Sequence, residues 1–189
     1  MHKHPLVPKF FLDNYKKYFG STKLEEITNL RIGVLSIPIN SLDNARKLII
    51  KKFDCDLPNI SKSIIIEAPK LRILRMTIEQ LFFLEFDKIN PIIYPIYSGF
   101  QSVGYLSDQS DAWVSIRIKG EKVIPALERI CTIDISYTGF PENSVARTQM
   151  EHLSVIIIRE SLDGFLMMSA SSSAGSFLEM LEVSLEQVI

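Results

Sequence analysis

Histidine, cysteine and any imbalance of charge are scarce in this 189-residue sequence, and each scarcity removes a class of function. Two cysteines, Cys55 and Cys131, cannot build a C-x-x-C metal knuckle or a disulfide framework, so they read as reduced thiols of a cytoplasmic protein. Lys plus Arg number 21 against 22 Asp plus Glu, and the net charge of −1 gives no long-range field to gather nucleic acid or an anionic membrane. No run reaches the ~18 apolar residues of a membrane span. The N-terminal MHKHPLVPKFF also lacks the apolar core of a signal peptide. There is no G-x-G-x-x-G and no P-loop, so neither a dinucleotide nor a triphosphate fold is indicated.

What is present is core-forming. Apolar residues make up 47% of the chain and charged residues 23%, a balance that supports a folded α+β domain with a substantial core. The slightly positive mean hydropathy fits either a well-filled core or an apolar surface reserved for another chain.

Residues 1–29 differ in composition from the rest and read as a basic, aromatic N-terminal arm. Up to Lys23 they hold five lysines against one acid, Asp13. Phe11, Tyr15, Tyr18 and Phe19 fall at i, i+4, i+7 and i+8, which predicts a helix with one aromatic stripe. Such a stripe is commonly buried on its own domain, whereas the flanking lysines also suit an arm that docks on an acidic partner.

Residues 30–189 read as a single α+β domain of mixed or antiparallel sheet with packed helices, with a pseudo-repeat over 30–100 and 101–189. LRIGVLSI (30–37) predicts a strand, and Asn40 or Ser41 caps a helix carrying Leu42, Ala45, Leu48, Ile49 and Phe53 on one face. Apolar runs at 63–67, 71–77 and 81–86 are too closely spaced for parallel pairing. Asn90-Pro91 and Pro95 mark a loop. WVSIRIK (113–119) alternates with period two, and a helix follows from about 121 to 131 despite Pro125. Further strands are expected at 133–136, 144–150, 153–159 and 164–170. A last helix then carries Phe177, Leu178, Leu181, Leu185 and Val188.

Chemistry is sparse in these elements. His152 is the one histidine within the fold, and with no nucleophile motif beside it a structural role is expected. His2 and His4 lack the further ligands of a metal site. The Ser169–Ser176 run has a single glycine and reads as a turn and helix cap rather than a phosphate cradle. Asp108 and Asp111 flank the Trp113 strand without a placed second carboxylate. Arg147 and Thr148, on a strand after a turn, are candidate contacts for an acidic ligand or partner, and Phe11, Tyr15, Tyr18 and Phe19 are candidate interface contacts. No catalytic, cofactor-binding or metal residue is assigned.

DAWVSIRIKGEKVIPALERICTIDIS (111–136), GFPENSVARTQMEHLSVIIIRES (139–161) and DGFLMMSASSSAGSFLEML (163–181) resemble, in order, the C-terminal half of the small (gamma) subunit of heterotetrameric sarcosine oxidase. The shared features are a strand ending near a glycine, a Leu-Glu-x-x-Cys helix, Phe-Pro, a V-A-R-T strand and a Ser-rich turn before the last helix. RIGVLSIP and LRMTIEQLFFLEF resemble that subunit's first half more loosely. The resemblance implies a fold like the N-terminal folate-binding domain of aminomethyltransferases. It also implies a non-catalytic role in assembling and stabilising a complex that oxidises sarcosine to glycine, passing the one-carbon unit to tetrahydrofolate and yielding hydrogen peroxide from oxygen. FAD, FMN, NAD, tetrahydrofolate and zinc would then belong to partner subunits, and none to this chain. The alternatives are a stand-alone folate-binding one-carbon enzyme and an unrelated protein-interaction module.

Overall fold

The computed structural model describes residues 11–86 and 97–188, which divide into two compact units. Among the described residues, one unit contains 29–86 and 97–110, and the other joins 11–28 to 111–188. Among the described residues there are two antiparallel sheets and three α-helices, the α+β class expected from the sequence.

In the 29–110 unit the third strand of the chain, β3 (Arg31–Ser36), is a run of buried side chains that ends at exposed Ser36. Pro38 and a 3-10 turn over Ile39–Ser41 then redirect the chain into α1 (Leu42–Phe53). This helix buries Ala45 and Ile49 on the expected face and stops where Asp54 turns left-handed, its N–H donating to the Ile50 carbonyl. A meander follows, made of β4 (Lys62–Ile66), β5 (Leu71–Arg75) and β6 (Gln80–Glu85). The edge strand β7 (Tyr105–Asp108) completes the order β4-β5-β6-β3-β7. Leu35, Ile49, Ile73, Leu81, Phe83 and Phe100 form its core. The loop expected around residues 90–95 lies outside the described residues.

The other unit holds a six-stranded sheet whose first two strands are β1 (Lys16–Phe19) and β2 (Thr22–Glu26). Its regular centre is β8 (Trp113–Lys119), flanked by β11 (Gly164–Ala170), with β10 (Leu153–Ser161) and β9 (Val145–Met150) beyond. Val114, Ile116 and Ile118 of β8 meet Phe165, Met167 and the last helix, α3 (Ala174–Glu186), through Phe177, Leu181 and Leu185. The intervening helix α2 (Val123–Glu128) is shorter than predicted, and Pro125 falls in its first turn, where no N–H is needed. Ser184 donates to the Ala126 carbonyl at 2.6 Å, tying α3 to α2 inside the core. The same succession recurs in each unit: strand, helix and three-strand meander, with the last meander strand pairing antiparallel to the first strand.

Two local expectations need correction. The aromatic N-terminal segment is a β-hairpin rather than a helix, with β1 (Lys16–Phe19) and β2 (Thr22–Glu26) joined by Gly20-Ser21. Asp13, Asn14 and Gly20 all take left-handed φ values, which a continuous helix excludes. The Glu26 carboxylate accepts the N–H groups of Phe11, Leu12 and Asn14 and fixes the turn before β1. β2 pairs antiparallel with β8, so this segment is part of a sheet rather than a detached arm. Residues 133–136 are likewise not a strand. Asp134 accepts the Ser136 N–H at 2.8 Å, Phe140 N–H donates to the Ser136 carbonyl, and Arg159 donates to the Ile135 carbonyl, so turns consume the groups a ladder would use.

Candidate functional site

The buried strand β3 carries two residues that a plain core strand would not, Arg31 and Gly33. Arg31 is 3% exposed and faces Glu85 of β6 as its cross-strand partner, which places opposite charges side by side in the sheet. Gly33 lies in register between Phe83 and Asp108. Its missing side chain leaves the space into which Tyr97 leans, since a Cβ there would meet Tyr97 Cζ and Oη at 3.3 Å. Phe83 holds the tyrosine ring edge-on at 5.5 Å and contacts Phe100 at 5.3 Å, and Phe53 stacks on Phe100.

These contacts point the Tyr97 hydroxyl into a cavity of about 190 Å³ lined also by Arg31, Ile32, Leu106, Asp108 and Ser110. Tyr97 is 3% exposed, yet its hydroxyl has no hydrogen-bond partner among the described residues. Burial pushes its ionisation upward, Glu85 and Asp108 push it further, and Arg31 opposes them. Asp108 is positioned through one oxygen only. Ser110 donates both its N–H (2.9 Å) and its hydroxyl (2.6 Å) to Oδ1, while Ser110 Oγ accepts the Ile32 N–H. The site thus offers one desolvated hydroxyl and one oriented carboxylate oxygen above an apolar floor.

The residues singled out in the sequence do not converge here. Arg147 and Thr148 alternate on β9 and so project to opposite faces. Arg147 is exposed, its guanidinium 5.5 Å from the centre of the Trp113 ring, whereas Thr148 is buried with its hydroxyl 2.9 Å from that of Thr132. Phe19 is a core residue, Phe11 and Tyr15 pack on the same core half-buried, and Tyr18 is 60% exposed. His152 sits exposed in the β9–β10 turn, its Nδ1 3.9 Å from Glu151 Oε2. His2 and His4 lie outside the described residues. Cys55 and Cys131 are free thiols in different units, both pushed up in pKa chiefly by burial. Among the described residues no three His, Cys, Asp or Glu side chains stand close enough to hold a metal ion, and no helix is long and apolar enough to cross a membrane.

Sequence reasoning noted Asp108 but missed Tyr97, Arg31, Gly33 and Ser110. An arginine heading an apolar strand was the available signal for Arg31, because a buried charge demands partners. Nothing local to Tyr97 announces that its hydroxyl is left over.

The fold has known counterparts. A chain of the heterotetrameric sarcosine oxidase of Corynebacterium sp. U-96 superposes with a TM-score of 0.73 at 15% identity, covering 88% of this chain and 85% of that one. The glycine cleavage system aminomethyltransferase T of Bartonella henselae gives 0.62 at 13% identity, covering 85% of this chain and 45% of that one. No protein-family model and no curated protein matches the sequence. At such identities the likeness is one of fold, and it agrees with the fold that the sequence resemblance implied.

A flavin or folate does not fit the Tyr97 cavity. Sites for ligands of drug size run to about 300–1,000 Å³, above the 190 Å³ here.

Proposed function

We propose that this chain is a non-catalytic subunit of a sarcosine oxidase-like heterotetramer, corresponding to its small gamma subunit, and that it acts in assembly and stabilisation. The observation that carries this reading is the extent of the fold similarity, which takes in 88% of this chain and 85% of the sarcosine oxidase chain. The ordered run of motifs over residues 111–181 supports it independently. In this reading FAD, FMN, NAD, tetrahydrofolate and zinc reside on partner subunits. The complex would convert sarcosine to glycine, pass the one-carbon unit to tetrahydrofolate and reduce oxygen to hydrogen peroxide.

Exposed apolar side chains supply contact area for partners. Ile39 is 69% exposed and Tyr105 77%, and Tyr105 shares a broad groove with Pro38 and Thr77 in the 29–110 unit. A stand-alone folate-binding enzyme is the second reading, favoured by the aminomethyltransferase similarity. This chain spans about half the length of that aminomethyltransferase, the similarity covering 45% of it. An interaction module unrelated to amine oxidation is the third.

Co-expression with the flavin-binding and folate-binding chains of a sarcosine oxidase-like complex from the same organism tests the proposal. The expected result is one stable assembly that oxidises sarcosine, and an isolated chain without flavin absorbance or turnover. Turnover or bound flavin in the isolated chain would overturn the non-catalytic role. Failure to join any flavin-bearing chain would overturn the subunit assignment.

A further inference from the structure

We infer that the Tyr97 cavity is a binding site for a small, compact alkylammonium ion, a function that does not depend on membership of an oxidase complex. The first observation is the unpartnered hydroxyl. A phenol 3% exposed with no hydrogen-bond partner among the described residues sacrifices the interactions it would make in water. It lines an open space rather than packed side chains, so a bound group can restore them.

The second observation fixes the sign of the ligand. Asp108 and Gly33 are register partners, and directly opposed residues share a face, so the carboxylate stands beside the space where the Tyr97 hydroxyl lies over Gly33. Ser110 holds Asp108 by Oδ1 and leaves Oδ2 available. Three charged side chains act on the Tyr97 hydroxyl, Arg31 against Glu85 and Asp108, so the balance there is one negative charge although Arg31 itself lines the cavity. An ammonium group satisfies both oxygens at once, donating to Tyr97 Oη and to Asp108 Oδ2. A carboxylate would face Asp108 unfavourably.

The third observation sets the size. A volume of about 190 Å³, at roughly 30 Å³ for each water-sized group, holds on the order of six non-hydrogen atoms. Ile32, Leu106 and the Gly33 backbone give the alkyl part an apolar wall. Gly33 is the residue that keeps the space open, because any side chain there would press on the tyrosine.

Titration of the full chain with isobutylammonium chloride, followed by the amide resonances of Gly33, Ser107 and Asp108, tests the site. Isobutyrate and isobutyramide at matched ionic strength serve as the anionic and neutral isosteres. Saturable binding of the ammonium is expected, about tenfold or more tighter than isobutyrate. Tyr97→Phe and Asp108→Asn should each weaken it severalfold, while Tyr97→Phe leaves the unliganded melting temperature unchanged or raised. No saturation by the ammonium, or tighter binding of isobutyrate, overturns the inference. A lower melting temperature for unliganded Tyr97→Phe also overturns it, because the hydroxyl would then have an internal partner such as a buried water.

Discussion

The Tyr15 hydroxyl donates to Glu182 Oε1 at 2.6 Å, joining residues 167 positions apart and tying the N-terminal hairpin to α3. Lys17 reaches the same oxygen at 2.9 Å. The tyrosine hydrogen bond, followed by Lys17, holds the Glu182 carboxyl below its ordinary value of 4.5, against the opposing effect of burial. A depressed carboxylate contributes stability that is present above 4.5 and lost as pH falls through the lower folded value. Glu182→Gln should therefore lower the melting temperature at neutral pH, with the difference from wild type shrinking below pH 4.5. Tyr15→Phe should cost about 1 kcal/mol at neutral pH and less in acid. Thermal melts of both variants across that range check the sign, and a pH-independent difference would rule out this linkage.

Truncation separates a docking arm from a structural hairpin. A detached arm predicts that removing residues 1–22 leaves the melting temperature nearly unchanged. The structure leads to the opposite expectation, because Phe19 is 4% exposed and Thr22 is fully buried, its hydroxyl accepting the Lys122 N–H at 3.0 Å. Loss of a buried phenylalanine alone costs about 3–5 kcal/mol, a fall of about 10 °C in a protein of this size. A calorimetric scan of the truncated chain within a degree or two of wild type would restore the arm.

Most of the fold was legible because its signals are local. The period-two alternation of WVSIRIK and the closely spaced apolar runs between Ser63 and Phe86 each determine both a strand and its antiparallel partner. The hairpin was misread because Phe11, Tyr15, Tyr18 and Phe19 happen to satisfy a helical spacing. The competing signal was the Gly20-Ser21 turn followed by inward Thr22, Leu24 and Glu26. The candidate site was almost illegible. It depends on Tyr97, Gly33 and Asp108 meeting across two strand pairings and a loop, and no sequence period encodes that meeting.

Trp113 opens β8, and its burial decides what its loss costs. The indole is half-buried, with the Arg147 guanidinium over its face. Trp113→Ala should then cost about 1–2 kcal/mol, less than the 3–5 kcal/mol of a fully buried aromatic. Arg147→Ala alone should cost under about 1 kcal/mol, and the double mutant should show a coupling of about 0.5–1 kcal/mol. Urea titrations of the three variants measure it. Strict additivity would mean that the two side chains do not interact in solution.

Arg159 gives the sharpest test of how the second unit is held together. It is fully buried, and among the described residues carbonyls and rings hold its guanidinium where a buried cation ordinarily meets a carboxylate. Its guanidinium donates to the carbonyls of Leu162 and Ile135 and lies 4.6 Å from the centre of the Phe165 ring and 5.4 Å from that of Tyr137. Two effects compete on substitution by methionine. Removing a buried charge is favourable, but two carbonyls then lose their donor, and the 133–140 turns lose the group that draws Ile135 inward. The carbonyl loss should prevail, because a buried acceptor left without its donor costs its full desolvation, giving a net cost of about 2–4 kcal/mol for Arg159→Met. Arg159→Lys should recover only part of this, since a single ammonium cannot reproduce the planar fork. Denaturant titration gives the magnitude, and faster hydrogen exchange at residues 134–140 locates the damage. A methionine variant as stable as wild type would show instead that ring packing alone holds this corner, with the guanidinium hydrogen bonds contributing nothing net.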